Sequence, residues 1–82
     1  MYEIALSETA AKEIEKLPKD LQDRIIAVLE RININPYHNV KKLVGSEAYR
    51  IRVGKYRIIL DINEKLKRIE VLRVGKRDSI YL

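Results

Sequence analysis

The chain has no cysteine, no tryptophan and no phenylalanine, and one histidine among its 82 residues. Without cysteine there is no disulfide framework, so a stapled secreted scaffold is excluded and a reducing, cytoplasmic setting is expected. A single histidine with no cysteine beside it offers no metal site, and His38 reads as an ordinary loop residue. Long apolar runs are missing too. The longest, Ile25 to Leu29, falls far short of the roughly 20 residues that span a bilayer. No membrane association is expected, and Met1-Tyr2-Glu3-Ile4 has neither the basic head nor the apolar stretch of a signal peptide. Repeats and low-complexity tracts are absent. The length excludes a two-domain enzyme with a cofactor cleft, and one domain over 1–82 with a thin core is expected.

What the chain has in quantity is charge. Lys and Arg number 17 against 12 Asp and Glu, a net charge of +5. Residues 1–44 hold seven of each sign, whereas residues 45–82 hold ten basic and five acidic residues. Such asymmetry points to a polyanion or an acidic protein as partner. A well-solvated surface is the plainer account of the same numbers.

The apolar pattern has two periods. Glu3-Ile4-Ala5-Leu6 suits a first strand, and Ser7 an N-cap whose hydroxyl satisfies a free amide of the following turn. Ala10, Ile14 and Leu17 recur at helical spacing, with Glu8 favourably placed at the positive end of the dipole. Pro18 stops that helix and suits the first turn of the next. Leu21, Ile25, Val28, Leu29 and Ile32 make one face of a second helix, ended by Asn33 to Pro36. Residues 35–47 read as a loop. Strict alternation then begins: Tyr49-Arg50-Ile51-Arg52-Val53 is a half-buried strand, Gly54-Lys55 a hairpin turn, and Tyr56 to Ile62 the return strand. Asn63-Glu64-Lys65 makes another turn, and Arg68 to Val74 a further strand. The expected fold is α+β: a small antiparallel sheet with two N-terminal antiparallel helices packed on one face.

The Gly54-Lys55 turn sets a register. Val53 faces Tyr56, Arg52 faces Arg57, Ile51 faces Ile58, and Tyr49 faces Leu60. Side chains alternate with period two, so these apolar residues share the face the helices cover, along with Ile62, Ile69 and Val71. The other face carries Arg50, Arg52, Arg57, Ile59, Asp61, Arg68, Glu70 and Leu72. Continuing the register sets Asp61 opposite Arg68, an expected ion pair. Arg52 opposite Arg57, beside Arg50, has no acid nearby. Opposed like charges weaken a hairpin. A solvated surface would screen them; a phosphate ligand gives them a reason, because guanidinium forks match phosphate geometry.

Four stretches resemble a known family: Glu15-Lys16-Leu17-Pro18, Lys42-Leu43-Val44-Gly45, Tyr49 to Ile59 with its Tyr-Arg-Ile-Arg-Val-Gly-Lys-Tyr-Arg hairpin, and Val71 to Tyr81. Together they are similar to the RelE/ParE toxin superfamily, and most to its RelE-like mRNA interferases. The hairpin is the specific part; the helices alone identify nothing. The resemblance implies one toxin domain of a type II toxin–antitoxin system, an endonuclease that cuts mRNA in the ribosomal A site. The 2′-hydroxyl attacks the adjacent phosphate, leaving a 2′,3′-cyclic phosphate and a 5′-hydroxyl, with no metal or other cofactor. By motif position Arg50 and Arg52 match basic strand residues of the family's site, Arg57 its transition-state arginine, Arg77 the arginine after the last strand, and Tyr81 the tyrosine near the C-terminus. Lys41, Lys42, Lys55 and Lys76 are the lysines that would contact RNA. Arginine stays protonated, with a pKa above about 12, so Arg50 and Arg52 supply charge and the proton passes to Tyr81 or to water. The implied partners are a cognate antitoxin, with a heterotetramer as one assembly, and the ribosome with its mRNA. Two rival readings stay open: a ParE-like protein that poisons a topoisomerase without cutting, and a regulatory module that only binds an antitoxin.

Overall fold

The structure is a computed structural model that describes residues 1–37, 40–42 and 48–76. Ser7 ends strand β1 (Glu3–Leu6) and opens helix α1 (Glu8–Glu15). Its hydroxyl accepts the Ala10 amide at 2.9 Å and donates to the Leu72 carbonyl at 2.8 Å. The expected cap therefore also ties the helix to the sheet. Helix α1 buries Ala10 and Ile14. Pro18 stands one position outside helix α2 (Lys19–Ile32), as its cap, with ψ 149° rather than within the first turn. Extended geometry there reverses the chain between the helices. Helix α2 buries Leu21, Ile25, Leu29 and Ile32, the expected stripe, with Val28 at its margin.

Four more strands complete the sheet: β2 (Lys41–Lys42), β3 (Tyr49–Val53), β4 (Tyr56–Asn63) and β5 (Arg68–Lys76). Their order is β1-β5-β4-β3-β2. Three pairings are antiparallel, as expected; β1 adds a parallel pair with β5, so the sheet is mixed. The stretch read as a loop thus contains a two-residue strand. The helices cover one face, where Ile51, Val53, Ile58, Leu60, Ile69, Val71 and Val74 join the helical stripe in one core. Every one of these is at most 5% exposed. At about 25 cal/mol per Å² of apolar surface, this shared burial is what holds so short a chain folded.

The first hairpin has the expected register, including Arg52 opposite Arg57. Gly54 takes φ +60° while Lys55 stays out of the positive region, the signature of a type II′ turn. The second turn differs from expectation. Asn63 pairs with Arg68, and Asp61 lies opposite Glu70, not Arg68. The cause is a turn of four residues. Asn63 Oδ1 accepts the Leu66 amide at 3.0 Å, and Lys67 enters the left-handed region at φ +51°. Arg68 turns outward instead and donates to Glu3 at 2.8 Å. Farther along β5, Leu60 pairs with Val71 but Ile59 pairs with Arg73, so Leu72 is an extra residue, a bulge.

Past Leu6, β1 no longer covers β5. Glu13 of α1 covers the exposed edge: its Oε1 accepts the Val74 amide at 2.8 Å, and its Oε2 accepts from Arg73 Nη2 at 2.9 Å. Partial burial alone would raise the Glu13 pKa. The Arg73 guanidinium and the Val74 amide outweigh it and hold the carboxyl below its ordinary value.

Candidate nucleic-acid interface

The strand pairings sort the candidate residues into rows across the sheet. One row is Lys41, Arg50, Ile59 and Arg73, the last of them held by Glu13; the next is Arg52, Arg57, Gly75. Directly paired residues project to the same side, with Cβ atoms about 5 Å apart. Lys41, Arg50, Arg52 and Arg57 therefore stand together on the face away from the helices. Gly75 beside Arg57 contributes no side chain. Arg50 and Arg57 are half-buried and Arg52 is exposed. Among the described residues none of the three arginines makes an ion pair. Glu70 and Asp61 lie on this face too, nearer the other end of β4, and form no ion pair either.

The remaining lysines are dispersed. Lys55 sits at the hairpin tip. Lys42 pairs with Tyr49 and Lys76 with Tyr56, rows that alternate to the helix side. Tyr49 and Tyr56 pack on the core, as expected of them. Arg77, Tyr81 and His38 lie outside the described residues.

Alternation places Ile59 and Leu72 on this face; their packing into a floor is what the structure adds. Ile59 is 1% exposed and packs with Ala48 and Leu72 in a second apolar cluster, on the arginine side of the sheet. A signal was available. Ile58-Ile59-Leu60 breaks the alternation, and an unbroken apolar run marks a strand buried on both faces. The result is a small apolar floor bordered by guanidinium groups. Such a surface can take a phosphate against the arginines, while Ile59 and Ala48, already closed off from solvent, keep the sheet beneath them dry.

Charge at the opposite end of the sheet is handled differently. Glu64 Oε1 accepts the Tyr37 hydroxyl at 2.6 Å and the Tyr2 hydroxyl at 2.7 Å, and its Oε2 pairs with Lys67 Nζ at 3.0 Å. These hydrogen bonds, Tyr37's foremost, hold the Glu64 pKa down at about 2. The same carboxylate drives the Tyr37 and Tyr2 hydroxyl pKa values upward. Tyr37 meets Tyr49 edge to face, with centroids 5.9 Å apart, and Lys67 stands over the Tyr2 ring at 5.3 Å. This corner is a structural clasp joining the N-terminus, the segment after α2 and the β4–β5 turn. Among the described residues there is no group of three or more histidines and carboxylates placed to hold a metal ion.

Comparison with known proteins agrees with this architecture. A family model described as "ParE toxin of type II toxin-antitoxin system, parDE" matches residues 4–81. The chain is 33% identical to Toxin RelE3 of Methanocaldococcus jannaschii, over 95% of this chain and 93% of that one. It superposes on a chain of the archaeal RelE–RelB complex from Pyrococcus horikoshii with a TM-score of 0.84 and 28% identity, covering 96% of this chain and 98% of that one. A chain of the intact Escherichia coli RelBE toxin–antitoxin complex gives a TM-score of 0.84 at 25% identity, covering 93% and 96%. With two helices over one face of a five-stranded mixed sheet and a family match over nearly its whole length, the chain belongs to the RelE/ParE superfamily of type II toxins.

Proposed function

We propose that this toxin is a metal-independent endoribonuclease that cuts mRNA in the ribosomal A site, works in the cytoplasm and is neutralised by a cognate antitoxin. The observation that carries the reading is the arginine face. Three arginines stand on adjacent rows of one face, two of them directly opposed, with no carboxylate paired to any of the three among the described residues. Hairpins do not oppose like charges without cost, and an anionic ligand removes that cost.

The arrangement suits transfer of the phosphoryl group to the neighbouring 2′-hydroxyl. The 2′-oxygen bonds to phosphorus, the bond to the 5′-oxygen breaks, the 2′-proton goes to a base, and the departing oxygen gains a proton. Arg57 and Arg52 stabilise charge building on the non-bridging oxygens. Arg50 and Lys41 hold the flanking backbone. The apolar floor of Ile59 and Leu72 excludes water and strengthens those charges. Tyr81 is the candidate for the proton steps and Arg77 for further charge. Support for an antitoxin comes from the two structural neighbours described above, both of which are chains of toxin–antitoxin complexes.

The test is primer extension on mRNA after induction, beside Arg57→Leu. Discrete cuts in translated message that vanish with the variant support the reading. Intact message with damaged DNA would favour the topoisomerase poison, the alternative that the ParE description of the matched family recommends.

A further inference from the structure

Beside the arginine face, around the free edge of β3, a groove runs between that strand and α2. Strand β2 covers only Tyr49 and Arg50, so the edge from Ile51 onward has no further strand partner among the described residues. The groove consists of two hollows of about 350 and 360 Å³ that share Arg24, Val53 and Gly54. In the first, Ala27, Val28 and Val53 form an apolar floor and Arg24, Arg31 and Arg52 the cationic rim. Lys55 extends the rim into the second, where Asp20 is the one acid.

The helix supplies this rim by its period. Arg24 and Arg31 are seven residues apart, two turns or about 10.5 Å along α2, with Ala27 and Val28 between them on the same stripe. Arg24 leans on the hairpin tip. Its Nη2 and Nη1 lie 3.6 and 3.8 Å from where a Cβ on Gly54 would stand. No ion pair engages Arg24, Arg31 or Arg52 among the described residues. Arg52 is common to the groove rim and to the arginine face.

We infer that the groove is a second polynucleotide site, which binds the phosphodiester backbone of RNA leaving the arginine face. The inference rests on reading that face as an RNA site. Its own ground is continuity: Arg52 links the two surfaces, and the cationic rim beyond it is spaced along a helix. A strand whose reacting phosphate lies at Arg57 passes over the edge at Arg52 and meets Arg24 and Arg31. The face then performs chemistry, and the groove fixes the strand's direction.

The probe is a short, fully 2′-O-methylated oligoribonucleotide, which cannot be cut, with affinity read by fluorescence anisotropy across a salt series. Arg24→Gln with Arg31→Gln should weaken binding about tenfold near 0.1 M salt. It should also flatten the slope of log Kd against log salt by about 1.4, roughly 0.7 for each lost phosphate contact. The paired lysine replacements should keep the slope. Arg31→Gln alone, which leaves the hairpin tip untouched, should flatten it by about 0.7 and serves if the double variant does not fold. Wild-type affinity and slope in the glutamine variants overturn the inference. So does undiminished RNA binding with lost affinity for an acidic amphipathic peptide, which would make the groove a protein site. The parent reading fails separately: if Arg57→Leu still cuts message while the glutamine variants lose RNA affinity, the groove stands and the catalytic assignment falls.

Discussion

At the β4–β5 end of the sheet, one carboxylate collects two phenol hydroxyls and an ammonium group. At the β3–β4 end, three guanidinium groups share a face and none has an ionic partner among the described residues. The two ends lie on the same strands, yet charge serves opposite purposes. In the Glu64 corner the carboxylate and the Lys67 ammonium answer each other from within the chain, so the corner gains order from its own contacts. On the arginine face the chain leaves the repulsion unanswered, and in the function proposed above an anion from outside relieves it. Ion pairs near a surface contribute little to stability. The contrast is therefore best read through ligands and pH.

Substituting Arg57 should separate the two ends most sharply. Arg57→Leu should lower the cleavage rate about 10²–10³-fold, the usual effect of losing one donor at a developing oxyanion, while its melting temperature stays level or rises as the opposition to Arg52 is relieved. Arg68→Leu, which removes an exposed contact with Glu3 on the far side of the turn, should leave cleavage unchanged. A marked loss of melting temperature in Arg57→Leu with normal cleavage would erase the distinction between the ends.

The apolar floor gives the second effect. Ile59→Ala should destabilise the fold by about 2–5 kcal/mol, as for other buried Ile truncations, seen as a melting point lower by more than roughly 8 °C. A change within a degree or two would mean the arginine face has no core of its own. Third, Glu13→Ala leaves the Val74 amide without its acceptor. Loss of this part-buried hydrogen bond, at an edge water can then reach, costs about 1 kcal/mol, and hydrogen exchange at Val74 should accelerate while the Glu64 corner is unaffected.

The smallest effect is in the Glu64 corner. Its folded pKa of about 2 lies below the ordinary 4.5, so its contribution is full above pH 4.5 and fades as pH falls toward 2. The wild type should exceed Glu64→Gln in melting temperature at neutral pH, by a few degrees at most, and converge with it near pH 2. Parallel curves over the whole range would remove Glu64 as the clasp. On the alkaline side, Tyr37 should stay protonated past its usual range, which phenol absorbance during titration reads directly.

How much of this was legible beforehand depends on the range of each contact. The helix stripes and the Tyr49–Leu60 register were readable, because helical period and a two-residue turn are local. The Asp61–Arg68 pairing was misread because Asn63 Oδ1 and the left-handed Lys67 make a four-residue turn, which composition alone does not announce. The parallel partner of β1 and the Leu72 bulge rest on contacts far apart in sequence, such as the Ser7 hydroxyl on a carbonyl 65 residues away, which local pattern does not reveal. Of the site, Arg50, Arg52 and Arg57 were placed together correctly by alternation. Lys41 joined them only through β2, hidden in what reads as a loop. Arg24 and Arg31 gave no signal, since an arginine on an exposed helical face looks like solvation until a strand edge is set beside it.

The position of Glu13 has a consequence for assembly. A β-sheet is an open polymer that grows by adding backbone to either border. With a carboxylate already occupying the Val74 amide, the upper half of β5 is a terminated end. Growth there would require displacing an acceptor that is also bound to Arg73. Along that half of β5 the sheet is thus closed, and among the described residues the borders left to an incoming strand are the outer edge of β1 and the edge at β2 and β3. One glutamate caps this stretch of border, and a second copy of the chain cannot add its backbone there without first displacing it.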